Sequence, residues 1–423
     1  MDYFAVGGRP LLSLFPPHIL TTRLSFDQEQ GKEVHCAEQP SYASPGDVDA
    51  GGNVAEGGYP PQNVQTAETR ATPAMPSGYP TWEPAPSGPL YTTPPERTLA
   101  LHEFFDQSEV KPWEKKNFEM VRKLQDATRN RGHVHLMRDL TSDRLVAVKQ
   151  MPNRWVRNSH TDFVAEHPGE TELPWQDIGC IKFLNSQGYD YGCALLGVYR
   201  DEEDTYVVTS FASEGDLFSW CEVGVSPGPE REVIVYPLAR QIMLGVQQLH
   251  ECTISHRDLS LENILLTKGE NSSDPDALTI RIIDFSMAST ARVFRSCVRG
   301  KASYQAPELH TDQDYDGYLS DVFSLGVTLY ALLLKDYPWL STRPGGCKCF
   351  EYVRKHGFRS YLAKRKLRNS NARVGEFISE PLKQLLEGLL AFDPADRLTL
   401  GESSWGDCRR SIWDEPWMHS GPQ

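Results

Sequence analysis

The sequence predicts an α+β protein, with a strand-rich part followed by a helical part, behind a long disordered N-terminal extension. Three observations carry this reading. Residues 1–98 hold half of the chain's 30 prolines and show no apolar periodicity. From Leu101 the composition becomes globular, and its first apolar runs alternate with a period of two. Further along, apolar residues recur at helical spacing instead, and strands followed by helices define an α+β order.

The elements follow in order. The extension carries Gly51-Gly52, Gly57-Gly58 and Pro-Ser-Gly at Pro76 and Pro86, and such a segment cannot bury enough surface to offset its chain entropy. Its Tyr59-Pro60 and Tyr79-Pro80 pairs read either as docking sites for a regulatory partner or as ordinary low-complexity sequence. Leu145–Val148 alternates as a strand, and Thr205–Val208 reads as another. Leu238, Ile242, Val246 and Leu249 mark a buried helix. Val322–Leu334 is a second, nearly all-apolar helix, and Pro381–Leu390 a third. Residues 406–423 contain Trp413 and Trp417 and form a C-terminal tail.

A chain of 423 residues has room for a two-lobed domain and an appendage. Its net charge of −14 makes it a poor non-specific binder of nucleic acid or anionic membrane, and no nucleic-acid partner is expected. No apolar run approaches the roughly 20 residues of a membrane span. Asp2, Pro10, Pro16 and Pro17 argue against a secretory signal. The nine scattered cysteines lack metal-ligand spacing, which predicts a reducing, intracellular and cytoplasmic setting.

The chemistry is concentrated in a few segments. In His256-Arg257-Asp258-Leu259-Ser260-Leu261-Glu262-Asn263, Asp258 can accept the proton of a hydroxyl nucleophile. Asn263, five residues on, can supply an oxygen to a metal that carries a triphosphate. Asp284, within Ile282-Ile283-Asp284-Phe285-Ser286, follows 21 residues after Asn263 and can chelate Mg²⁺. Val146-Ala147-Val148-Lys149 puts an ammonium at a strand end, where it can hold phosphates. Ala306-Pro307-Glu308, Asp321 and Arg397 come later. A lone Val-Ala-Val-Lys is usually just a strand, and a lone Asp-Phe-Ser usually a turn.

Together and in this order, the segments resemble the eukaryotic protein kinases over roughly residues 115–400. The wording around Leu173–Cys180 is similar to a divergent, protist-like (oomycete-type) branch of the serine/threonine kinases. The resemblance implies a bilobal protein-kinase fold, with an N-lobe of sheet and one helix at 115–208, a hinge at 209–212 and a C-lobe at 213–405. It implies ATP and Mg²⁺ as cofactors and protein substrates as partners. Lys149 then corresponds to the phosphate-binding lysine, Asp258 to the catalytic base, and Asn263 and Asp284 to the metal ligands. Gly132 and Val134 close the glycine-rich loop. Thr209 takes the gatekeeper position, with Ser210, Phe211 and Ala212 as the hinge meeting adenine. Asp216 lies near the ribose, and Ala147 and Leu265 sandwich the adenine ring. His256, Phe285 and Ile181 stack in the regulatory core, and Glu308 pairs with Arg397.

Five positions depart from the family pattern. Ala127 and Arg129 stand where two loop glycines are expected. Asp177 replaces the glutamate that pairs with Lys149, with Glu172 as its rival; being one methylene short, it requires a closer helix or a bridging water. Ser286 replaces a glycine. Ser260 replaces a lysine and Lys301 a threonine, as if exchanged, so Lys301 is expected to reach toward Ser260 and return the missing charge.

Arg257, Arg292, Arg295, Arg299 and Lys301 form a basic set that a phosphate on Ser296 would pair with and order. The wording at Leu259–Glu262 and Gly300–Glu308 resembles serine/threonine rather than tyrosine kinases. The expected activity is transfer of the γ-phosphate of ATP to protein serine or threonine. The alternative is a pseudokinase that acts as a scaffold or allosteric module. A small-molecule kinase of related fold is a third reading, opposed by the Ala306-Pro307-Glu308 segment.

Overall fold

The computed structural model describes residues 100–127, 132–268, 277–368 and 370–422. The extension at 1–98 and Arg129 lie outside these residues.

The first lobe is built on a six-stranded sheet. Its strands are β1 (Lys111–Pro112), β2 (Phe118–Ala127), β3 (Gly132–Asp139), β4 (Arg144–Pro152), β5 (Leu195–Arg200) and β6 (Asp204–Ser210), in the order β1-β5-β6-β4-β3-β2. All neighbours are antiparallel except β1 with β5. The alternation in β4 decides what each face does. Val146 and Val148 turn to one face and are buried with Met137, Tyr206 and Val208. Trp113 seals that face, stacked between Phe118 at 4.4 Å and Tyr206 at 4.0 Å. The pleat sends Ala147, Lys149 and Met151 to the opposite face.

Three helices accompany the sheet: α1 (Asn153–Val156), α2 (His160–Glu166) and α3 (Pro174–Ser186). The sequence predicts one helix here. The two short ones fill the connection after β4, α2 starting where Ser159 Oγ accepts the Asp162 N–H. Pro174 opens α3, a position with no helical N–H partner to lose. Trp175 and Ile178 of α3 bury against Met151, Val198 and Val207 on the Lys149 face. Each such burial contributes roughly 1.5–3 kcal/mol. Gly179 lets residues 101–104 lie on α3: a Cβ there would stand 2.0 Å from the Leu101 carbonyl oxygen.

The second lobe is helical. It comprises α4 (Leu217–Glu222), α5 (Pro229–Glu251), the pair β7 (Ile264–Lys268) and β8 (Leu278–Ile282), the pair β9 (Val293–Arg295) and β10 (Asp314–Asp316), α6 (Gly317–Leu334), α7 (Lys348–His356), α8 (Phe358–Lys364), α9 (Glu380–Leu389) and α10 (Pro416–Ser420). By length and composition α6 could cross a membrane, but all 18 of its residues are buried, which makes it the central core helix. Val235, Leu238, Ile242, Val246 and Leu249 of α5 and Leu382, Leu385, Leu386 and Leu389 of α9 belong to the same core. The C-terminal tail packs here too: Trp417 is buried, and its Nε1 donates to Glu232. Between the lobes the chain is tied to β7, with the Glu214 N–H on Leu266 O at 2.9 Å and the Leu266 N–H on Gly215 O at 2.7 Å.

Candidate active site

The loop that carries Asp258 is pinned from below by a buried carboxylate. Asp321, in the first turns of α6, accepts the backbone N–H groups of His256 at 2.7 Å and Arg257 at 2.8 Å. This holds Arg257 at φ +69°, an uncommon region for a side-chain-bearing residue. Asp321 is itself bound by His250 Nε2 at 3.1 Å, and Glu402 lies 2.6 Å from His250 Nδ1. Burial opposes charge on His250, but the two carboxylates outweigh it and hold its pKa at about 9. The same contact keeps Glu402 below the usual carboxylate range against its own burial.

Above this base, Asp258 accepts the Lys301 N–H on Oδ1 at 3.2 Å and Asn263 Nδ2 on Oδ2 at 3.0 Å. Burial pushes its carboxyl up, only partly offset by the Lys301 ammonium. Asn263 Nδ2 also donates to the Asp258 carbonyl at 2.7 Å, so both of these hydrogen bonds of Asn263 use the amide nitrogen.

Lys149 Nζ donates directly to Asp177 Oδ2 at 3.1 Å, so α3 comes close enough for the shorter side chain and no water is needed. The other oxygen of Asp177 accepts the Phe285 N–H at 2.9 Å. Leu173 N–H donates to Ser286 O at 3.1 Å, and Gln176 Nε2 to Ala288 O at 2.9 Å. The start of α3 is thereby docked on the segment that follows Asp284. Glu172, which precedes the helix, acts on Lys149 less than Asp177 and Asp284 do. Burial opposes charge on Lys149, yet Asp177 and Asp284 raise its pKa above the ordinary lysine value. Asp284, at φ +65°, is held below the usual carboxylate range against its burial by Lys149 and by the Ser286 hydroxyl at 2.6 Å. Ser286, where a glycine was expected, therefore orients the carboxylate. His256 and Phe285 rings lie 5.2 Å apart, and Ile181 packs on the large core.

Gly132, Val134, Ala147 and Thr209 lie on the Lys149 face of the sheet. The register sets Val134 opposite Lys149, and Ala147 opposite Thr209, on neighbouring strands. Gly132 opens β3 opposite Ala127. Phe211 is half-buried just past β6. Leu265 is half-buried between the buried Ile264 and Leu266, so its side chain leaves the core face of β7. Asp216 Oδ1 is engaged as the cap of α4, accepting the Ser219 N–H at 2.6 Å.

Lys301 Nζ donates to Ser260 Oγ at 2.6 Å. Arg397 grips Glu308 with two nitrogens, at 2.5 and 2.9 Å. The arginines expected around Ser296 are engaged separately. Arg292 binds Asp316 at 2.7 Å, Arg295 the Asp312 carbonyl and Arg299 the Val298 carbonyl. Arg257 stacks over Phe294 at 3.9 Å and donates to Cys297 Sγ at 3.0 Å. Sequence alone does not single out His250 or Glu402; the signal nearest to them is Asp321 at the head of an apolar helix.

The protein kinase domain family model matches residues 130–418, and the chain belongs to that family. Among individual relatives, it is 34% identical over 218 residues to the serine/threonine-protein kinase GIN4 of Saccharomyces cerevisiae, a match covering 49% of this chain and 18% of that protein. It is 30% identical over 199 residues to the serine/threonine-protein kinase SAPK5 of Oryza sativa subsp. japonica, covering 46% and 48% respectively. It is 32% identical over 154 residues to a probable serine/threonine-protein kinase 2 of Plasmodium falciparum, covering 36% and 28%. The match thus spans less than half the length of each of these relatives.

Proposed function

We propose that the chain is an ATP- and Mg²⁺-dependent protein serine/threonine kinase. The observation that carries the reading is the bridge made by Asp177, one oxygen on Lys149 and the other on the backbone beside Asp284. That bridge links the candidate phosphate-binding ammonium, α3 and the candidate metal-binding carboxylate into one unit. The similarity to serine/threonine-protein kinases supports the serine/threonine assignment.

Asp258 accepts the proton of the substrate hydroxyl, and its burial keeps the carboxylate receptive. Lys149 holds the nucleotide phosphates, with Val134, Ala147, Thr209, Phe211 and Leu265 around the adenine and Asp216 toward the ribose. Among the described residues no three His, Cys, Asp or Glu side chains converge as a metal site. The donor set still fits Mg²⁺, which takes one or two protein oxygens and completes its shell with phosphate and water. The Asp284 carboxylate and the Asn263 amide oxygen would hold it, and when bound it neutralises charge on the phosphate oxygens. An intracellular, cytoplasmic setting belongs to the same proposal, supported by nine cysteines scattered along the sequence without metal-ligand spacing. So does a regulatory partner for residues 1–98.

Phosphoamino-acid analysis of a labelled protein substrate tests the assignment. Label on serine and threonine is expected. Label on tyrosine overturns the hydroxyl specificity, and a folded protein that labels nothing supports the pseudokinase alternative.

A further inference from the structure

Lys301 lies on the segment between Asp284 and Glu308, yet its charge is docked on the loop that carries Asp258. Its Nζ is 2.6 Å from Ser260 Oγ, 3.7 Å from Asp258 Oδ2 and 3.8 Å from Glu262 Oε2. Its backbone N–H donates to Asp258 Oδ1 at 3.2 Å, so one residue addresses both oxygens of the candidate base. Gly300 makes this approach possible. It sits at φ +80°, and a Cβ there would stand 2.8 Å from the Arg257 carbonyl oxygen and 3.4 Å from Asp258 Oδ1. The turn is fixed by the Tyr304 N–H on Lys301 O at 2.9 Å and by Gln305 Nε2 on Gly300 O at 2.7 Å.

The Lys301 side chain is 40% exposed, so the residues it touches do not enclose it. The other cations near the site are committed elsewhere. Lys149 is paired with Asp177, and Arg257 is stacked on Phe294. Among the described residues, Lys301 carries the one side-chain cation within 4 Å of the Asp258 carboxylate.

We propose that Lys301 is a catalytic residue that faces the transferring phosphoryl group, held in place by Ser260 and delivered by the Gly300 turn; this rests on the kinase reading above. In the transfer, the substrate O–H bond breaks and its proton passes to Asp258. The oxygen forms a bond to the γ-phosphorus, and the bond from that phosphorus to the bridging oxygen breaks, its electron pair leaving with ADP. A nucleophile bound to Asp258 must lie about 2.6–3.2 Å from it. The phosphoryl oxygens then fall within reach of an ammonium 3.7 Å from the same carboxylate. A fixed cation aimed at those oxygens lowers the barrier without reorganisation. The cation thus comes from the 284–308 segment, whereas the backbone just before Asp258, at His256 and Arg257, is held by Asp321.

The test compares kcat, the KM for ATP and melting temperature for wild type, Asp258→Asn, Lys301→Met, Lys301→Thr and the double variant Ser260→Lys/Lys301→Thr. Lys301→Met is expected to lower kcat by about 100- to 1,000-fold. The KM for ATP should stay within about threefold of wild type, the pattern of an interaction made in the transition state. The double variant, which moves the ammonium to its hydrogen-bonding neighbour, is expected to recover about tenfold or more over Lys301→Thr. A Lys301→Met kcat within about threefold of wild type overturns the proposal. So does a folded double variant no better than Lys301→Thr. If wild type is active and Asp258→Asn inactive while Lys301→Met is unimpaired, only this inference falls. If folded wild type transfers nothing, the kinase reading falls and takes the inference with it.

Discussion

Replacing Asp177 by asparagine removes one charge and little else. The amide retains an oxygen for the Phe285 N–H, so the docking of α3 on the segment after Asp284 survives, while Lys149 loses its direct partner at 3.1 Å. The Asp177 side chain is 8% exposed and that of Lys149 29%, so the pair is shielded from solvent without being fully enclosed. Removing one member of a fully buried pair costs about 3–5 kcal/mol. Lys149 keeps Asp284 as a second carboxylate neighbour, which brings the expected loss to about 2–3 kcal/mol. That coupling also aims Lys149 at the nucleotide phosphates; lost in full from the transition state, at about 1.4 kcal/mol per factor of ten, it lowers kcat/KM for ATP by roughly 30- to 150-fold. Initial rates across an ATP series measure this directly, with Glu172→Gln as the control. Glu172 acts on Lys149 less than Asp177 and Asp284 do, and its variant should stay within about threefold of wild type. An Asp177→Asn enzyme with wild-type kcat/KM, or a larger loss from Glu172→Gln, would refute the reasoning.

His250 makes stability depend on pH in a defined direction. Its folded pKa of about 9 stands above its ordinary value of 6.5. The stabilisation is therefore complete below pH 6.5 and is lost as pH rises through 9. The melting temperature should fall over that window, by the equivalent of about 3 kcal/mol. His250→Gln, which cannot carry the charge, should lower the melting temperature at pH 6 and flatten the profile above it. A His250→Gln profile parallel to wild type would assign the pH dependence to other groups.

Much of this architecture was legible in the sequence because its signals are local. The alternation of Val146, Ala147, Val148 and Lys149 separates a core face from a site face by the pleat alone. The apolar stripe from Leu238 to Leu249 and the run from Val322 to Leu334 declare buried helices. Asp258 and Asn263 lie within one turn of chain, so their meeting at 3.0 Å is set over five residues. What stayed hidden depends on distant packing. Whether Asp177 could reach Lys149 depends on how close α3 sits, which is decided by Trp175, Ile178 and Gly179 against partners far along the chain. Asp321 and Glu402 lie 71 and 152 residues beyond His250 and meet it only in the folded core. The helices α1 and α2 span four and seven residues, too short to show a helical period. Trp417 gave no pattern of its own, and its place is set by Glu232 on another helix.

The most direct test of the kinase reading is transfer of labelled γ-phosphate from ATP with Mg²⁺ to a generic basic protein, comparing wild type with Asp258→Asn. The expected result is labelling by wild type that drops by about 1,000-fold or more in the variant, with melting temperature unchanged. Equal labelling by both proteins, or none from a folded wild type, would contradict the assignment of Asp258 as the base of a phosphoryl-transfer site.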